Sequence, residues 1–434
     1  MRGKRHFLAV LMVLLIAALG CSDDAPDGGS GAASESSGED GAGSNGPAGT
    51  AGDAEDPGSD NTSTGSSNGD GSDGSGSTAT TATTATTGGG SAGTPQPKRP
   101  PGWRVIAKAP IKGRHAHSAV WTGKEMIVWG GAERAGNAPI YLEDGAAYDP
   151  AADKWRTLPV SPLGARADHV AVWTGKEMLI WGGNPGIETP FGNNEFADGA
   201  AYNPDTDKWR PMAKFPLTAR YATRAVWSGK VLVVWGGARA EDGEEAEPLA
   251  DGAAYDPDRD SWSKLPPSPL GGRLSPLAAA VDGTVLISWG FNRDPGQALD
   301  GARYDPSAEA WAKVAPVPST DAAWCFDLAG CIGVDTGTRV VFAGEGLVYD
   351  EQADRWAKVA TSPLADPFLD GKALAFTGNR VVVFGGGRYT SDAEAPPEDV
   401  MRDPGMAYDP GADRWTPLPP APIAARARTR GVWT

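Results

Sequence analysis

The sequence predicts an all-β fold made of repeated four-stranded sheets, and three features lead to this prediction. A tyrosine is followed seven positions later by a tryptophan six times. Gly-Gly pairs end apolar runs, and β-rich runs are joined by short turn sequences. A recurrence of this kind indicates supersecondary units that stack on their neighbours. The Tyr/Trp pairs are Tyr148/Trp155, Tyr202/Trp209, Tyr255/Trp262, Tyr304/Trp311, Tyr349/Trp356 and Tyr408/Trp415, and the Gly pairs are Gly130-Gly131, Gly182-Gly183, Gly236-Gly237 and Gly385-Gly386.

The first segment, residues 1–21, is typical of an export signal, with a basic head, an apolar run from Phe7 to Leu19 and a cysteine. Its 13 apolar residues are too few to cross a bilayer as a permanent helix. The end of the segment, Ala18-Leu19-Gly20-Cys21, resembles the bacterial lipobox, although its leucine stands one place late. The resemblance implies acylation of Cys21, and plain secretion with cleavage near Gly20 is the alternative. We therefore expect a lipoprotein of the bacterial cell envelope, facing the periplasm or the surface.

The second segment, residues 22–97, has a low-complexity composition of Gly, Ser, Thr, Ala and Asp, with 12 acidic and no basic side chains. So little apolar surface cannot offset the entropy cost of ordering, and the segment is predicted to be a disordered linker. It also carries most of the formal net charge of −16 of the 434-residue chain. Such a charge excludes nucleic acid and an anionic membrane surface as the main partner, so the membrane is contacted through the lipid anchor only.

The third segment, residues 98–434, holds the repeats, and its first unit can be divided into strands. HSAVW and KEMIVWGG are β-rich runs joined by a two-residue turn, Thr122-Gly123, where glycine supplies the positive φ of a tight hairpin. AAYDPAADKWRTL is a second hairpin with the loop 150–153, and in that register Tyr148 faces Trp155. The run MIVWGG lacks polar alternation, as expected for a strand buried on both faces.

The Gly pair that ends strand b, the tyrosine of strand c and the tryptophan of strand d resemble the kelch repeat over residues 101–434. Kelch units are four-stranded blades of a β-propeller, as in the central domain of galactose oxidase. The copper ligands and the Cys-linked tyrosine of that enzyme have no counterpart, so its activity is not implied. Two blades depart from the pattern, since Gly290 is followed by Phe291 and Gly344 by Glu345. We interpret blades four and five as degenerate.

The two ends of the repeat region predict a partial seventh blade beside six complete ones. Trp103 belongs to a spare strand d before the first unit, and residues 431–434 are a spare strand a after the last. Joining them gives one incomplete blade, so we expect a fragment that lacks about 30 residues of a seven-bladed propeller. A six-bladed ring with two redundant strands is the alternative.

The tight a–b and c–d turns lie on one face of the predicted ring, and the b–c and d–a connections form the other, which we call the loop face. Long irregular loops on a rigid scaffold are common binding sites. The third b–c loop holds an acidic cluster that includes Glu244 and Glu245. Four arginines each stand seven residues before an inner-strand tryptophan and could bind a carboxylate such as a sugar acid. They could instead pair with the aspartates that precede each strand c and so fix one blade to the next. The arginines are Arg114, Arg166, Arg220 and Arg426, and the aspartates are Asp144, Asp198, Asp251 and Asp300.

Two histidines and the aspartates of the Asp-Pro loops are residue types that bind metals, but their pattern does not predict a metal site. His117 and His169 occupy equivalent places, but Thr223 and Thr429 replace them in other blades, which favours hydrogen bonding to the backbone. The Asp-Pro loops lack the Gly and Glu of a calcium loop. We expect neither a metal nor a cofactor. Cys325 and Cys331 could form a local disulfide or remain free thiols.

Together these features predict a monomeric binding propeller at the cell envelope that recognises a protein or a glycan through its loop face. The alternative is a carbohydrate-active enzyme of the sialic-acid mutarotase type, because those enzymes are small kelch propellers too. A purely structural envelope protein is a third possibility. A binder should have a shallow face built from loops, whereas an enzyme should have a deep pocket with perturbed acid groups.

Overall fold

In the computed structural model, 32 β-strands and no helix occur in the described part of the chain. The chain divides into two compact units, residues 24–97 and the remainder, and every described residue belongs to the remainder. The described residues are 14–17, 102–135, 138–185, 196–239, 247–292, 299–318, 333–343, 346–360, 369–370, 373–385, 387–388, 405–423 and 430–433.

Six antiparallel sheets of four strands confirm the six predicted blades. Within each blade, strands a, b, c and d follow one another in the sequence and in the sheet. Blade one is β2(Ser118–Trp121), β3(Met126–Trp129), β6(Gly145–Asp149) and β7(Lys154–Thr157); blade two is β8(Val170–Trp173), β9(Met178–Trp181), β10(Gly199–Asn203) and β11(Lys208–Pro211); blade three is β12(Arg224–Trp227), β13(Leu232–Trp235), β16(Gly252–Asp256) and β17(Ser261–Lys264).

The second half of the repeat region continues the same order. Blade four is β18(Leu277–Val281), β19(Thr284–Ser288), β20(Gly301–Asp305) and β21(Ala310–Val314); blade five is β22(Val334–Asp335), β23(Arg339–Phe342), β24(Leu347–Asp350) and β25(Arg355–Lys358); blade six is β27(Ala373–Phe376), β28(Val381–Phe384), β30(Met406–Asp409) and β31(Arg414–Pro417). Four two-stranded pairs accompany the blades: β1(Leu14–Ala17) with β32(Arg430–Trp433), β4(Ala132–Ala135) with β5(Ala138–Tyr141), β14(Ala238–Arg239) with β15(Glu247–Pro248), and β26(Leu369–Asp370) with β29(Gly387–Arg388).

The c–d hairpins have the predicted register. Tyr148 lies opposite Trp155, and Asp149 lies opposite Lys154. In all six blades the rings of this Tyr–Trp pair lie 5.0–5.2 Å apart between centroids. The seven-residue spacing is therefore a cross-strand aromatic pair repeated in every blade.

The first a–b turn differs from the prediction of a two-residue turn. Strand pairing ends at Trp121 opposite Met126, so four residues, 122–125, make the connection. The backbone N–H of Thr122 donates to the carbonyl of Glu125, and the Thr122 hydroxyl accepts from the N–H groups of Lys124 and Glu125. The threonine side chain thus satisfies two donors that a shorter turn would not contain. Gly123 has a φ of 90°, which agrees with the expected role of glycine.

The hydrophobic core lies between successive blades. Strand β3 is buried along its whole length, as its apolar composition predicts. At its end Trp129 is fully buried and packs 5.9 Å from Trp209 of blade two. A Cβ on Gly145 would lie 2.8 Å from the Trp129 ring, so the glycine opposite this tryptophan leaves room for it. In blades one to three, the tryptophan that ends strand b therefore packs against the strand-d tryptophan of the next blade.

Blades four and five keep all four strands, although their sequences depart from the repeat. In blade four the departure is at the first glycine, not the second. Trp289 takes that first position with a φ of 51°, and Gly290 takes the second. A non-glycine residue in this conformation carries backbone strain, which the buried environment of Trp289 holds in place.

The inner strands adjoin one another from β2 through β27, and β32 lies between β2 and β27. Strand β32 pairs along its length with β1. These contacts place residues 430–433 where the inner strand of a seventh blade would lie. The seventh blade itself stays a prediction.

Candidate functional site

The loop face is built from the d–a and b–c connections, because each a–b and c–d pair is closed by a tight turn at the opposite end. The b–c connections differ from blade to blade. In blade one the connection forms the hairpin β4–β5, and in blade three it contains the two-residue strands β14 and β15. The variable part of the molecule is therefore concentrated on one face, as the sequence predicts.

Three of the four predicted arginines lie in the described residues, and each is buried at the base of this face. Every one forms an ion pair with the aspartate that precedes strand c of its own blade, and Arg273 does the same in blade four. The N–O distances are 2.8 Å for Arg114–Asp144, 2.7 Å for Arg166–Asp198, 2.8 Å for Arg220–Asp251 and 2.8 Å for Arg273–Asp300. The pairing that the sequence offered as an alternative is thus observed, but each ion pair lies within one blade, so the expectation that it joins neighbouring blades is wrong.

The aspartates, not the arginines, reach solvent on the loop face. The arginine side chains of the four pairs are 0–1% exposed, whereas the aspartate side chains are 52–56% exposed. The guanidinium groups also donate to backbone carbonyls, as Arg114 does to Gly130 and Arg220 does to Gly236. Burial lowers the pKa of Arg273, and the charge of Asp300 opposes this effect. The face therefore presents four carboxylates, each supported by a buried cation.

Two of these arginines keep an unused donor. The Nη2 atoms of Arg114 and Arg220 are buried and have no hydrogen-bond partner among the described residues. In contrast, Nη2 of Arg166 donates to Asp198 and Nη2 of Arg273 donates to Asp300. A buried charged donor without a partner is uncommon in folded proteins and marks a place where a water molecule or a ligand atom is expected. Ligand binding by these arginines stays a prediction.

The backbone beside the arginines is strained in the same way in four blades. The residue two positions after each arginine has a positive φ: Ala116, Asp168, Ala222 and Ser275 lie between 46° and 53°. Neighbouring blades are joined here, since the Asp168 N–H donates to the Ala116 carbonyl and the Ser275 N–H donates to the Ala222 carbonyl. Left-handed backbone at a non-glycine residue costs about 1 kcal/mol or more. Because this positive φ recurs in four blades, we interpret it as a structural feature of the repeat that connects neighbouring blades, while the loops beside it vary.

Of the residues at the equivalent histidine and threonine positions, Thr223 bonds to the backbone as predicted, whereas His169 contacts two side chains. His169 Nε2 lies 2.9 Å from the Ser118 hydroxyl, and its ring meets the edge of Trp129 at 5.1 Å. Thr223 donates to the carbonyl of Trp235. In the described part of the chain, no group of three His, Cys, Asp or Glu side chains is close enough to share a metal ion.

The second aspartate of the c–d loop has a role in blades one, three, five and six that sequence reasoning missed. In blade one, the Tyr148 hydroxyl and the Ala107 N–H both donate to Asp153, and the Trp155 indole N–H donates to the Ala107 carbonyl. Tyr, Asp and Trp of one blade thus bind both the backbone N–H and the backbone carbonyl of a single residue. That residue lies four positions after the strand-d tryptophan of the preceding blade. The constant spacing Tyr-x4-Asp-x-Trp is the signal that could have revealed this contact, which we call the interblade clamp.

Further ion pairs connect the blades on the face of the tight turns. Arg156 donates to both carboxylate oxygens of Glu125, to the Tyr202 hydroxyl and to Asp207. The hydrogen bond to Glu125 raises the pKa of Arg156, and burial raises the pKa of Tyr202 to about 12. Arg210 repeats these contacts one blade later. The Trp-Arg dipeptide in strand d and Lys-Glu in the a–b turn are the sequence signals for this arrangement.

Several predicted residues lie outside the described residues. These are Arg426, Glu244, Glu245, Cys21, Cys325 and Cys331. Their roles in ligand binding, lipidation and disulfide formation stay predictions. Within the described ranges, no helix is long and apolar enough to cross a membrane.

Part of the chain is similar in sequence to kelch-repeat proteins. The family model described as the KLHDC2/KLHL20/DRC7 kelch-repeats domain matches residues 103–290. The kelch-like protein terF of Aspergillus terreus is 32% identical over 149 residues, which cover 32% of this chain and 31% of that protein. N-acetylneuraminate epimerase of Haemophilus influenzae strain PittEE is 25% identical over 217 residues, which cover 42% of this chain and 56% of that enzyme.

The chain thus spans about a third to a half of the length of these curated relatives. Among solved structures, that of YjhT has 16% sequence identity and a TM-score of 0.48, and the match covers 72% of this chain and 99% of that one. The family match falls on the residues whose Tyr, Trp and Gly pattern builds the first three blades and strands a and b of the fourth. Residues 103–290 match a kelch-repeats domain, and the described residues form the six four-stranded blades of a β-propeller.

Proposed function

We propose that this propeller is a binding protein that recognises a protein or glycan ligand through its loop face. The observation that carries the proposal is the row of four half-exposed carboxylates at the base of the variable connections, each supported by a buried arginine. Carboxylates held in this way are fixed hydrogen-bond acceptors. They suit sugar hydroxyl groups, or the amines and amides of a protein surface.

The test begins with a glycan array and an affinity pull-down that use the full chain. Bound ligands are then measured against the double variant Asp144→Asn, Asp251→Asn, which keeps an oxygen to accept from each arginine. We expect at least a tenfold loss of affinity, with the circular dichroism spectrum unchanged. Glu309→Gln, an exposed carboxylate on the face of the tight turns in blade four, is the matched control. If the double variant and the wild type bound the ligand with equal affinity, binding through the loop-face carboxylates would be contradicted.

A second candidate is an enzyme that acts on a sugar acid. What supports it is the similarity to N-acetylneuraminate epimerases from two strains of Haemophilus influenzae, each 25% identical over 217 residues. The full chain can be mixed with freshly dissolved N-acetylneuraminate, and the exchange of its anomers followed by NMR. Exchange faster than the uncatalysed rate supports the enzyme, and exchange at that rate favours the binding protein.

We also propose that the protein works as a monomer at the bacterial cell envelope, held by a lipid on Cys21. The supporting feature is the apolar run that ends in Ala18-Leu19-Gly20-Cys21. In a bacterial host, the wild-type protein should incorporate labelled fatty acid and enter the detergent phase of a phase-partition assay. Cys21→Ser should abolish both. Incorporation by the variant would contradict anchoring at this residue.

A further inference from the structure

A cavity of about 280 Å³ lies on the face of the tight turns, between blades two and three. Blade two contributes its a–b turn and the strand-d arginine, and blade three contributes its a–b hairpin and its c–d turn. The lining residues are Thr174, Lys176, Glu177, Arg210, Trp227, Gly229, Lys230, Pro257 and Asp258. This cavity is on the opposite face from the loops considered above.

Two lysines supply the charge that is available in this cavity. Arg210 is engaged by both carboxylate oxygens of Glu177 and by the Tyr255 hydroxyl, so this arginine and Glu177 neutralise each other. The exposed ammonium groups of Lys176 and Lys230 form no ion pair with any described residue. Arg210 also pairs with Asp260, so Lys176 and Lys230 are the two lining cations that no described carboxylate pairs with. These two lysines are therefore the groups of the lining that an acid group of a ligand would meet, although residues 98–434 as a whole are acidic.

The cavity lining includes one aromatic residue, whose ring also packs against the core. Trp227 is the last residue of the inner strand β12, and it is half-buried. An indole ring packs well against the apolar face of a sugar ring, while the lysines beside it attract a carboxylate on the same ring. Gly229 has no atom within 4 Å of the place where a Cβ would be, which leaves space beside Trp227. The combination suits a sugar that carries an acid group.

The same residue types recur one blade earlier. Thr122, Lys124, Glu125 and Arg156 of blade one stand where blade two has its four lining residues, and Trp173, Gly175 and Lys176 stand where blade three has Trp227, Gly229 and Lys230. Lys176 belongs to both sets. Tryptophans and lysines thus alternate along the inner rim of blades one to three, as a ligand with repeated acid groups would require.

We propose that the tight-turn face of blades one to three binds an anionic oligosaccharide with acidic sugars in its repeat. Trp173 and Trp227 stack on sugar rings, and Lys124, Lys176 and Lys230 bind the carboxylates. This site is separate from the loop-face site, and either can fail without the other.

The test uses isothermal titration calorimetry of the full chain with an oligogalacturonate hexamer and with the neutral hexamer maltohexaose. The wild type should bind the acidic hexamer and not the neutral one. Lys176→Met, Lys230→Met should weaken binding at least tenfold. Lys154→Met, Lys208→Met makes the same change of charge on the outer strands of blades one and two and should weaken binding less than twofold.

Three results would overturn the proposal: no binding of the acidic hexamer by the wild type, equal binding of the two hexamers, or equal losses in the two lysine variants. All four lysines are exposed, so none of these substitutions disturbs the core. Trp227→Leu is a second variant that separates stacking from charge. It should reduce affinity at constant ionic strength while leaving the salt dependence of binding as in the wild type, and unchanged affinity would contradict the stacking role.

Discussion

At the scale of single residues, the second aspartate of the c–d loop explains much of the repeat. Asp413 accepts from the Ala360 N–H and from the Tyr408 hydroxyl. These two bonds lower the pKa of Asp413, while its partial burial opposes them. The aspartate has a φ of 45°, a conformation that short polar side chains tolerate better than others. One small residue therefore shapes the turn and joins two blades.

This depressed pKa predicts how stability depends on acid. A carboxylate with a lower pKa in the folded state than its ordinary value of 3.8 stabilises the fold above that value, and the contribution disappears as the pH falls further. We expect Asp413→Asn to lose about 1 kcal/mol at pH 7 and to show a shallower fall in stability below pH 4. Urea unfolding at pH 7 and at pH 3 measures both effects.

Blade four provides the control. There Glu309 takes the place of the aspartate, and the described residues show neither a tyrosine hydroxyl nor a backbone N–H that donates to it. Glu309→Gln should leave both the stability and its acid dependence close to those of the wild type. If the free energy of unfolding fell equally between pH 7 and pH 3 in the wild type and in Asp413→Asn, this role of the aspartate in the interblade clamp would be contradicted.

An alkaline prediction follows from the tyrosine of the same contact. Burial raises the pKa of Tyr202 to about 12 from 10.0, and the hydrogen bond to Asp207 acts in the same direction. The neutral tyrosine stabilises the fold fully below pH 10, and this contribution is lost as the pH rises through 12. Tyr202→Phe should therefore reduce the fall in stability between pH 10 and pH 12. Chemical unfolding at both values tests this, and an unchanged fall in the variant would count against the assignment.

At the scale of the strand, the Gly pair after strand b permits a close approach of two backbones. A Cβ on Gly237 would lie 2.6 Å from the Tyr221 carbonyl, and the residue has a φ of 88°. Its N–H donates to the carbonyl of Arg273 in the next blade. The second glycine of the pair thus packs closely against the backbone of its own blade and also donates a hydrogen bond to the next blade.

We expect Gly237→Ala to lower the free energy of unfolding by about 3 kcal/mol, because it adds a steric clash to an unfavourable φ. Gly271→Ala is the matched control, since no atom lies within 4 Å of its Cβ position. The control should change stability by less than about 0.5 kcal/mol. Equal losses in urea unfolding would show that the effect is a general one of replacing glycine.

These elements also show how far the sequence predicts the structure. The Tyr–Trp spacing predicts the c–d register because a two-residue side-chain period fixes which residues share a face. The a–b turn was predicted too short, because the capping by the Thr122 hydroxyl depends on side-chain geometry that periodicity does not report. The Arg–Asp pairs were one of two alternatives, and only burial distinguishes a cation that faces a ligand from one that supports the loops.

At the scale of the whole molecule, the indole N–H bonds form a closed circle. Each strand-d tryptophan donates to the carbonyl four positions after the tryptophan of the preceding blade, at distances of 2.6–3.1 Å. The described residues contain seven such bonds: Trp103–Pro419, Trp155–Ala107, Trp209–Pro159, Trp262–Ala213, Trp311–Pro266, Trp356–Ala315 and Trp415–Ala360. Trp103 therefore takes the place that the outer strand of a seventh blade would occupy, beside blades six and one.

Closure through Trp103 gives a prediction for stability. Trp103→Phe keeps an aromatic ring to pack on Phe384, which lies 5.0 Å away, and removes the N–H that reaches Pro419. A lost hydrogen bond of this kind costs about 1 kcal/mol, or about 2 °C in Tm. Trp262→Phe makes the same change in the middle of the circle and should cost a similar amount. A loss in Trp262→Phe with none in Trp103→Phe would mean that the contact between the first and last parts of the propeller does not stabilise it, and that the ring is open there in solution.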